Sequence, residues 1–303
     1  MNQNKPGQPG KRNVILNIVL VLCVIVILFC AVKIVQSLIE YKRAEDKYSQ
    51  IGSQFEDLMT GVSSTVSTTT AVTTTVPTTE ATIADTSATE ETEPVVTEPV
   101  PQPKEEYRAL YEHLRNTKDQ YPDLFGWIYI AFDADHVINL PVMKGQDNNF
   151  YINHAYDGTA AKAGAIFADY RNTDRRLDLN QNIVLYGHNM NDSSMFAMVS
   201  SKYKNRTNFE TVPITFYTLD GVYLFNVFSI YNGKAGADYD TIAFSGDKLQ
   251  QFCYAKQMSS FYKKNLTFDT DETVITLVTC TNYSDDGRVI VHGVLDGYVS
   301  FFD

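Results

Sequence analysis

Eight short apolar or alternating runs between residues 125 and 295 constrain the fold of this chain more than any other feature. Turn residues separate the runs, and such alternation of apolar and polar residues is typical of β-strands. Eight short strands with few helices predict a mostly β fold, a closed or nearly closed β-barrel. The predicted strands are residues 126–131, 137–142, 164–168, 183–186, 214–218, 222–231, 273–279 and 289–295.

Few segments of the same region follow a helical pattern. Residues 104–121 predict an amphipathic helix with Leu110 and Leu114 on one face. Residues 192–201 and 246–263 predict two shorter helices. We expect residues 104–303 to form one domain, because roughly 200 residues are ample for a single hydrophobic core.

The N-terminal part contains one long apolar segment, residues 14–32, which only Asn17 interrupts. A helix of this length can cross a hydrocarbon core of ~30 Å. The segment is longer than the apolar core of a signal peptide, and the residues after it make a poor cleavage site. We therefore predict an uncleaved transmembrane anchor over residues 14–38.

The charges that flank the anchor predict its orientation. Lys5, Lys11 and Arg12 precede it without any acidic residue among them, whereas basic and acidic residues are mixed behind it. The positive-inside rule therefore places a tail, residues 1–13, in the cytoplasm. We expect a single-pass type II protein of the cell membrane whose folded domain is extracellular.

Two segments connect the anchor to the folded domain. Residues 39–60 are charged and mildly amphipathic, and predict a juxtamembrane helix. Residues 61–103 are rich in Thr, Pro and Glu and contain too little apolar surface to offset chain entropy, so they predict a disordered stalk. Much of the formal net charge of −11 lies in or near this stalk. An acidic chain without a basic face is not expected to bind nucleic acid.

A cysteine marks the end of the seventh predicted strand. Residues 274–278, Val-Ile-Thr-Leu-Val, have the pattern of a buried strand, and Cys280 follows where the chain becomes polar. Of the other cysteines, Cys23 and Cys30 lie in the apolar segment and Cys253 lies in a helical pattern. A free thiol outside the cell suits a nucleophile, so we predict that role for Cys280. A buried core thiol and a disulfide with Cys253 are the alternatives.

An arginine and a histidine complete a candidate site. Arg288 heads the eighth strand, so an antiparallel pair would bring it beside Cys280, where a cation can activate a thiol or bind a carbonyl oxygen. His188 follows the fourth strand and a turn at Gly187, and an imidazole is the usual acid or base partner of a thiol. His292, on the same strand face as Arg288, is the rival acid or base. No metal site is expected, since the chain has no H-x-x-x-H or C-x-x-C motif.

These residues and several further motifs resemble class B sortases. The resemblance covers residues 107–295 and includes Thr276-Leu-Val-Thr-Cys280 with Arg288 after a short loop. The other motifs are Gly126-Trp-Ile, Pro141-Val-Met-Lys-Gly-Gln-Asp-Asn148, Tyr151-Ile-Asn, Lys162-Ala-Gly-Ala-Ile-Phe-Ala-Asp169-Tyr-Arg-Asn172 and Asn182-Ile-Val-Leu-Tyr-Gly-His188-Asn-Met190.

The resemblance implies a fold and an activity. The implied fold is an eight-stranded β-barrel with N-terminal helices and a further helix before the strand that carries the cysteine. The implied enzyme is a cysteine transpeptidase of Gram-positive cells that needs no cofactor. It cleaves a C-terminal sorting signal of the LPxTG or NPxTN type and joins the surface protein to a peptidoglycan cross-bridge or stem-peptide amine. Cys280 would form the thioester, His188 would transfer protons and Arg288 would bind the carbonyl oxygen.

Substrate contacts follow from the same resemblance. Asn148, Ile152 and Tyr239 fall where class B members line the signal groove, and the backbone or hydroxyl of Thr279 is a further candidate for the oxyanion site. The chain departs from the pattern at Val278, where relatives often have Ser. Thr281 likewise stands where some relatives have an acidic residue.

Three other functions remain open from the sequence. A pilin-polymerising sortase would use a lysine as the acceptor amine. A plain cysteine peptidase would release the acyl group to water. A non-catalytic stalked adhesin would only display the barrel as a binding face.

Overall fold

The computed structural model describes residues 11–66, 101–174, 176–280 and 286–303. The chain divides into two compact units, Met1–Tyr48 and Ser49–Asp303. Most of the predicted cytoplasmic tail and most of the predicted stalk lie outside the described residues, as does most of the loop between the last two strands.

The first helix, α1, runs from Lys11 to Val66 and so contains both the predicted anchor and the predicted juxtamembrane helix. Its large apolar side chains from Leu16 to Ile39 are exposed, so they have no protein core to face. Within the described part of the chain, this is the one helix long and apolar enough to cross a membrane. Length and composition therefore make it a candidate membrane span.

The C-terminal part of α1 belongs to the second unit and packs on the barrel. Ile51, Phe55 and Met59 are buried, and their spacing of four residues puts them on one helix face. The ring of Phe55 stacks on Trp127, with centroids 4.3 Å apart and planes 11° from parallel. The carbonyl of Gly52 accepts a hydrogen bond of 2.9 Å from the side chain of Asn139. The sequence places the start of the catalytic domain at residue 104, and the structure adds this part of α1 to the same unit.

The described residues of the second unit form the predicted eight-stranded closed barrel, with the strand order β1-β2-β3-β4-β7-β8-β6-β5. Two neighbouring pairs, β2 with β3 and β4 with β7, are parallel, and the other pairs are antiparallel. The strands are β1 (Leu124–Asp133), β2 (His136–Met143), β3 (Ile166–Ala168), β4 (Asn182–Tyr186), β5 (Ile214–Tyr217), β6 (Gly221–Lys234), β7 (Val274–Cys280) and β8 (Gly287–Ser300).

Four shorter helices surround the barrel. They are α2 (Arg108–Gln120), α3 (Ala197–Lys202), α4 (Arg206–Thr211) and α5 (Lys248–Ser259). Helix α5 precedes β7, as the sequence predicts, whereas α4 is not predicted. Three single-turn 3₁₀ helices, Phe150–Ile152, Leu177–Leu179 and Asp238–Asp240, lie in connections between strands.

The core extends over both faces of the central strand β7. Val274 packs outside the barrel in a cluster with Leu249 and Cys253 of α5 and with Phe228. Its neighbour Ile275 points to the opposite face and is equally buried. A strand that is covered on both faces reads as a continuous apolar run, which explains the sequence before Cys280.

Candidate active site

The ends of three neighbouring strands bring the predicted catalytic residues together. Strand β7 lies between β4 and β8. Tyr186 pairs with Val278 in parallel register, and the amide of Gly187 donates a hydrogen bond of 3.1 Å to the Val278 carbonyl. His188 and Cys280 each lie two residues beyond that pair. Cys280 itself pairs with Arg288 at the start of β8. Cys280 is therefore flanked by the chain of His188 on one side and that of Arg288 on the other.

Close packing at Gly187 fixes the backbone that leads to His188. A Cβ atom at this position would lie 2.5 Å from Ile166 Cδ1 and 2.8 Å from the ring of Phe196, so only glycine fits without displacement. The carbonyl of His188 then accepts a hydrogen bond of 2.9 Å from the amide of Phe196. The packing at Gly187 and the hydrogen bond from Phe196 thus fix the backbone of His188.

The imidazole of His188 is partly exposed and bound through one ring nitrogen. Its Nε2 lies 2.7 Å from the carbonyl oxygen of Ile152. Because a carbonyl oxygen can only accept a hydrogen bond, Nε2 carries a proton in this contact. Proton exchange with a thiol or an amine is then left to Nδ1.

Arg288 is half-buried at the edge of the sheet. Its Nη1 donates a hydrogen bond of 2.9 Å to the carbonyl of Gly287. On its other side the residue pairs with Gly233 of β6, where a Cβ atom would lie 2.6 Å from Ile290 Cδ1. The arginine backbone is therefore fixed between β6 and β7, which keeps its side chain at the end of the sheet that carries Cys280.

The buried carboxylate of Asp169 supports the side of the site that carries His188. Asp169 is fully buried and receives two hydrogen bonds from the guanidinium of Arg171, of 2.7 Å and 2.8 Å, and one of 3.1 Å from the amide of the same residue. The side chain of Asn148 donates a fourth, of 2.9 Å, and the hydroxyl of Tyr186 a fifth, of 3.2 Å. Burial acts to raise the pKa of Asp169, but these hydrogen bonds outweigh it and the net pKa lies below the usual value. The carboxylate therefore joins the segment of Asn148 to the strand that leads to His188.

His292, the rival acid or base, lies inside a hydrogen-bonded chain. The side-chain amide of Asn182 donates to the carbonyls of Tyr239 and Thr241, so its oxygen accepts the Thr276 hydroxyl at 2.7 Å. The Thr276 oxygen then accepts from His292 Nδ1 at 2.8 Å, which leaves Nε2 to accept from the hydroxyl of Tyr231 at 3.3 Å.

These hydrogen bonds make His292 a structural residue. The imidazole is fully buried, and burial lowers its pKa well below the usual value, with a further contribution from the charge of Lys256. Its partner Thr276 is four residues before Cys280, a separation of about 13 Å along a strand. A neutral histidine at this depth cannot exchange protons at the sheet edge, so the rival assignment is wrong.

The four predicted substrate-contact residues have different surroundings. Ile152 is 42% exposed beside His188, and Asn148 is half-buried and bound to Asp169. Tyr239 is only 5% exposed and packs against Val184, Val278 and Ile290 of three neighbouring strands. Thr279 is also buried, beside Cys280 at the end of β7. Ile152 and Asn148 therefore border the accessible side of the site.

Cys253 is a free thiol in the cluster under α5. Burial raises the pKa of this thiol to about 12, and the charge of Glu272 adds to the effect. The structure therefore makes Cys253 an inert core residue and excludes its predicted alternative role in a disulfide.

Two supporting residues were not singled out from the sequence, namely Asp169 and Asn182. Each lies at one end of a short buried strand, where a polar residue needs a partner in the protein. Their position next to buried strands was the available signal. Several of their partners lie far away in the sequence, Asn148 for Asp169 and Thr276 for Asn182.

Known proteins share this fold and these motifs. A family model described as Sortase domain matches residues 136–296. Sortase B of Listeria monocytogenes is 32% identical over 189 residues, which cover 61% of this chain and 74% of the relative. Sortase B of Staphylococcus aureus is 26% identical over 278 residues, which cover 91% of this chain and 94% of the relative.

A solved structure, the Staphylococcus aureus sortase B–substrate complex, has the same fold. Its TM-score is 0.62 at 22% identity, and the match covers 85% of this chain and 98% of that chain. The predicted resemblance is thus confirmed by a family model over more than half of the chain and by relatives along most of its length. The chain belongs to the sortase family and is a class B sortase, a cysteine transpeptidase.

Proposed function

We propose that this enzyme cleaves a C-terminal sorting signal of the LPxTG or NPxTN type after its threonine and transfers the surface protein to a peptidoglycan amine. The observation that carries the proposal is the convergence of Cys280, His188 and Arg288 at the ends of three neighbouring strands. A nucleophile, an acid or base and a cationic hydrogen-bond donor are the groups that acyl transfer needs.

In the first step, the thiolate of Cys280 attacks the carbonyl carbon of the signal threonine. The peptide C–N bond breaks as the tetrahedral intermediate collapses, and His188 donates a proton from Nδ1 to the leaving amine. The products are a thioester on Cys280 and the released C-terminal peptide. The thioester retains enough free energy for the second transfer, so the reaction needs no cofactor.

In the second step, an acceptor amine enters in place of the departed peptide. His188 removes a proton from this amine as its nitrogen attacks the thioester carbonyl. The C–S bond then breaks, a new amide bond forms and the thiolate of Cys280 is regenerated. His188 thus acts as an acid first and as a base second, and it ends each cycle in its starting state.

Arg288 stabilises the oxyanion that develops on the carbonyl oxygen in both steps. Its guanidinium provides several N–H donors in a planar fork, which suits an oxygen that gains charge. The backbone of Thr279, beside the cysteine, is the second candidate donor. Its hydroxyl is less suited, because that side chain is buried.

We propose that the signal lies along the segment of Asn148 and Ile152. The side chains of Phe150 and Ile152 are exposed on this segment, and Ile152 also contacts His188 through its carbonyl. They offer apolar surface to a proline or leucine of the signal. Asn148 lies on the same segment and offers polar contact to the peptide backbone. The buried ring of Tyr239 packs against the strands that carry the site, so we assign it a supporting role rather than a direct contact with the signal.

We also propose that α1 anchors the enzyme in the cell membrane with the barrel outside. The exposed apolar surface of its first unit supports this arrangement, as does the cationic N-terminal tail of the sequence. Surface proteins that bear a sorting signal are secreted across the same membrane, so their C-terminal signals become available to an enzyme anchored there.

The test uses the full chain in detergent micelles with LPxTG- and NPxTN-type peptides and an added amine such as triglycine. The proposal predicts a new amide between the acyl part of one peptide class and the amine, and none with Cys280→Ala. A lysine-bearing pilin peptide as the preferred acceptor would favour the polymerising sortase. Hydrolysis in the presence of every amine would favour the peptidase, and wall binding without turnover would favour the adhesin.

A further inference from the structure

The imidazole of His188 is oriented by the backbone rather than by a carboxylate. In the part of the chain that the structure describes, its hydrogen bond runs from Nε2 to the carbonyl oxygen of Ile152, over 2.7 Å. In many hydrolases a carboxylate holds the histidine in one tautomer. A carbonyl oxygen selects a tautomer in the same way, because it accepts a hydrogen bond and cannot donate one, so the ring nitrogen that it contacts must carry the proton.

The segment that presents this carbonyl is held on both sides of Ile152. The hydroxyl of Tyr151 donates a hydrogen bond of 2.8 Å to Asp123, and its carbonyl accepts one of 3.0 Å from the amide of Ala165. On the other side, the carbonyl of Asn153 accepts one of 2.9 Å from the amide of Ala161. The Ile152 carbonyl therefore lies on a backbone that is fixed before any substrate arrives.

Gly164 leaves the space that this carbonyl occupies. Its backbone has a φ of +59°, and a Cβ atom there would lie 2.5 Å from the carbonyl oxygen of Ile152 and 2.6 Å from that of Tyr151. Both neighbouring atoms belong to the backbone, so a side chain could not be accommodated by a rotamer change. Any residue other than glycine would have to displace the group that contacts His188.

We propose that the carbonyl of Ile152 is the positioning group of His188, holding Nε2 protonated so that Nδ1 carries out the proton transfers. This inference rests on the acid and base role that the proposed function gives to His188. Ile152 then has two functions, because its exposed side chain borders the proposed signal groove and its carbonyl orients the imidazole of His188. A signal that contacts the Ile152 side chain therefore contacts the same residue that positions His188.

Two glycines make a matched pair of variants. Gly164→Ala introduces a Cβ against the Ile152 carbonyl. Gly158→Ala is the control, because Gly158 has a similar positive φ of +76° in the same region, but a Cβ atom there would meet nothing within 4 Å. Both substitutions strain the backbone, and only the first displaces the carbonyl. We expect kcat of Gly164→Ala to fall about 10- to 100-fold with KM little changed, and kcat of Gly158→Ala to stay near that of wild type.

The direct measurement is the ¹⁵N spectrum of the imidazole rings in the full-length chain, with His188→Gln to assign the signal. At a pH that keeps the ring neutral, the wild-type signal should show a protonated Nε2 and an unprotonated Nδ1. Gly164→Ala should show a mixture of tautomers, and Gly158→Ala the wild-type pattern.

The opposite tautomer, or an averaged one, in the wild-type chain would overturn the inference whether or not the Gly164 variant folds. An unchanged tautomer and unchanged kcat in a folded Gly164→Ala chain would also overturn it. The tautomer is read without substrate, so the two proposals can fail separately. A wild-type chain with protonated Nε2 that transfers no peptide would support the placement of the ring and contradict the proposed function.

Discussion

Tyr186 of β4 pairs with Val278 of β7 in parallel register, so both strands end at the same edge of the barrel. The chain reaches His188 and Cys280 two residues beyond this pair, at the ends of adjacent strands that are about 4.8 Å apart. The antiparallel pairing of β7 with β8 then returns Arg288 to the same edge. One parallel pair and one antiparallel pair are thus enough to collect three residues that are distant in the sequence.

Replacing Arg288 by lysine should retain the positive charge and lose the planar fork of donors. If Arg288 stabilises the oxyanion, kcat/KM for peptide transfer should fall on the order of 10²-fold. Arg176→Lys is a suitable control, because Arg176 is an exposed arginine paired with Asp178. Steady-state kinetics measures kcat/KM for both variants. Equal values of kcat/KM for Arg288→Lys and Arg176→Lys would show that Arg288 does not stabilise the oxyanion.

Asp169→Asn should destabilise the catalytic unit, because it removes the buried charge that Arg171 and Asn148 both bind. We expect the free energy of unfolding to decrease by about 2–4 kcal/mol. Urea denaturation of wild type and variant measures this difference. The matched change Asp178→Asn, in a partly exposed pair with Arg176, should alter it by no more than about 1 kcal/mol. Similar losses in both variants would contradict the special role given to Asp169.

The strands were predictable because their signal is local. Each of the eight predicted strands overlaps one of the strands of the barrel, since alternation or an apolar run is visible within a few residues. Helix α4 was missed because six residues carry little periodic signal. Its start depends on a local cap, in which the side chain of Asn205 accepts a hydrogen bond from the amide of Asn208.

The site was predictable in part for the same reason. His188, Cys280 and Arg288 lie at strand ends, where polar residues interrupt an apolar pattern. The contact between His188 and Ile152 was not predictable, because the sequence does not tell how the intervening loop folds back. The burial of Tyr239 and the hydrogen-bonded chain around His292 likewise depend on residues that only the closed barrel brings together.

Phe55→Ala tests whether the end of α1 is part of the catalytic unit. Removing a fully buried ring that stacks on Trp127 should lower the free energy of unfolding by about 3–5 kcal/mol. Trp127 is the only tryptophan of the chain, so its fluorescence reports the stacking and the unfolding together. The exposed neighbouring change Gln54→Ala should have an effect within about 0.5 kcal/mol. An unaltered stability and an unaltered emission of Phe55→Ala would show that this helix segment does not pack on the barrel.

The buried His292 should make stability depend on pH. Its pKa is lowered in the folded state, so the unfolded chain binds a proton more readily. The stability it confers is therefore complete above its unfolded pKa of about 6.5 and is lost as the pH falls below that value, by up to about 1.4 kcal/mol per pH unit. His292→Phe should remove this part of the slope while lowering stability at neutral pH. Urea denaturation between pH 5 and 8 measures both effects, and an unchanged slope in the variant would contradict a neutral, buried imidazole.

Intact-protein mass spectrometry of the full chain can show whether Cys280 forms the acyl intermediate. After brief exposure to a signal peptide without acceptor amine, wild type and Cys253→Ala should gain the mass of the acyl part, mapped to Cys280. Cys280→Ala should gain none, and triglycine should discharge the adduct into an amide. An adduct on another residue, or its persistence in folded Cys280→Ala, would show that Cys280 is not the nucleophile.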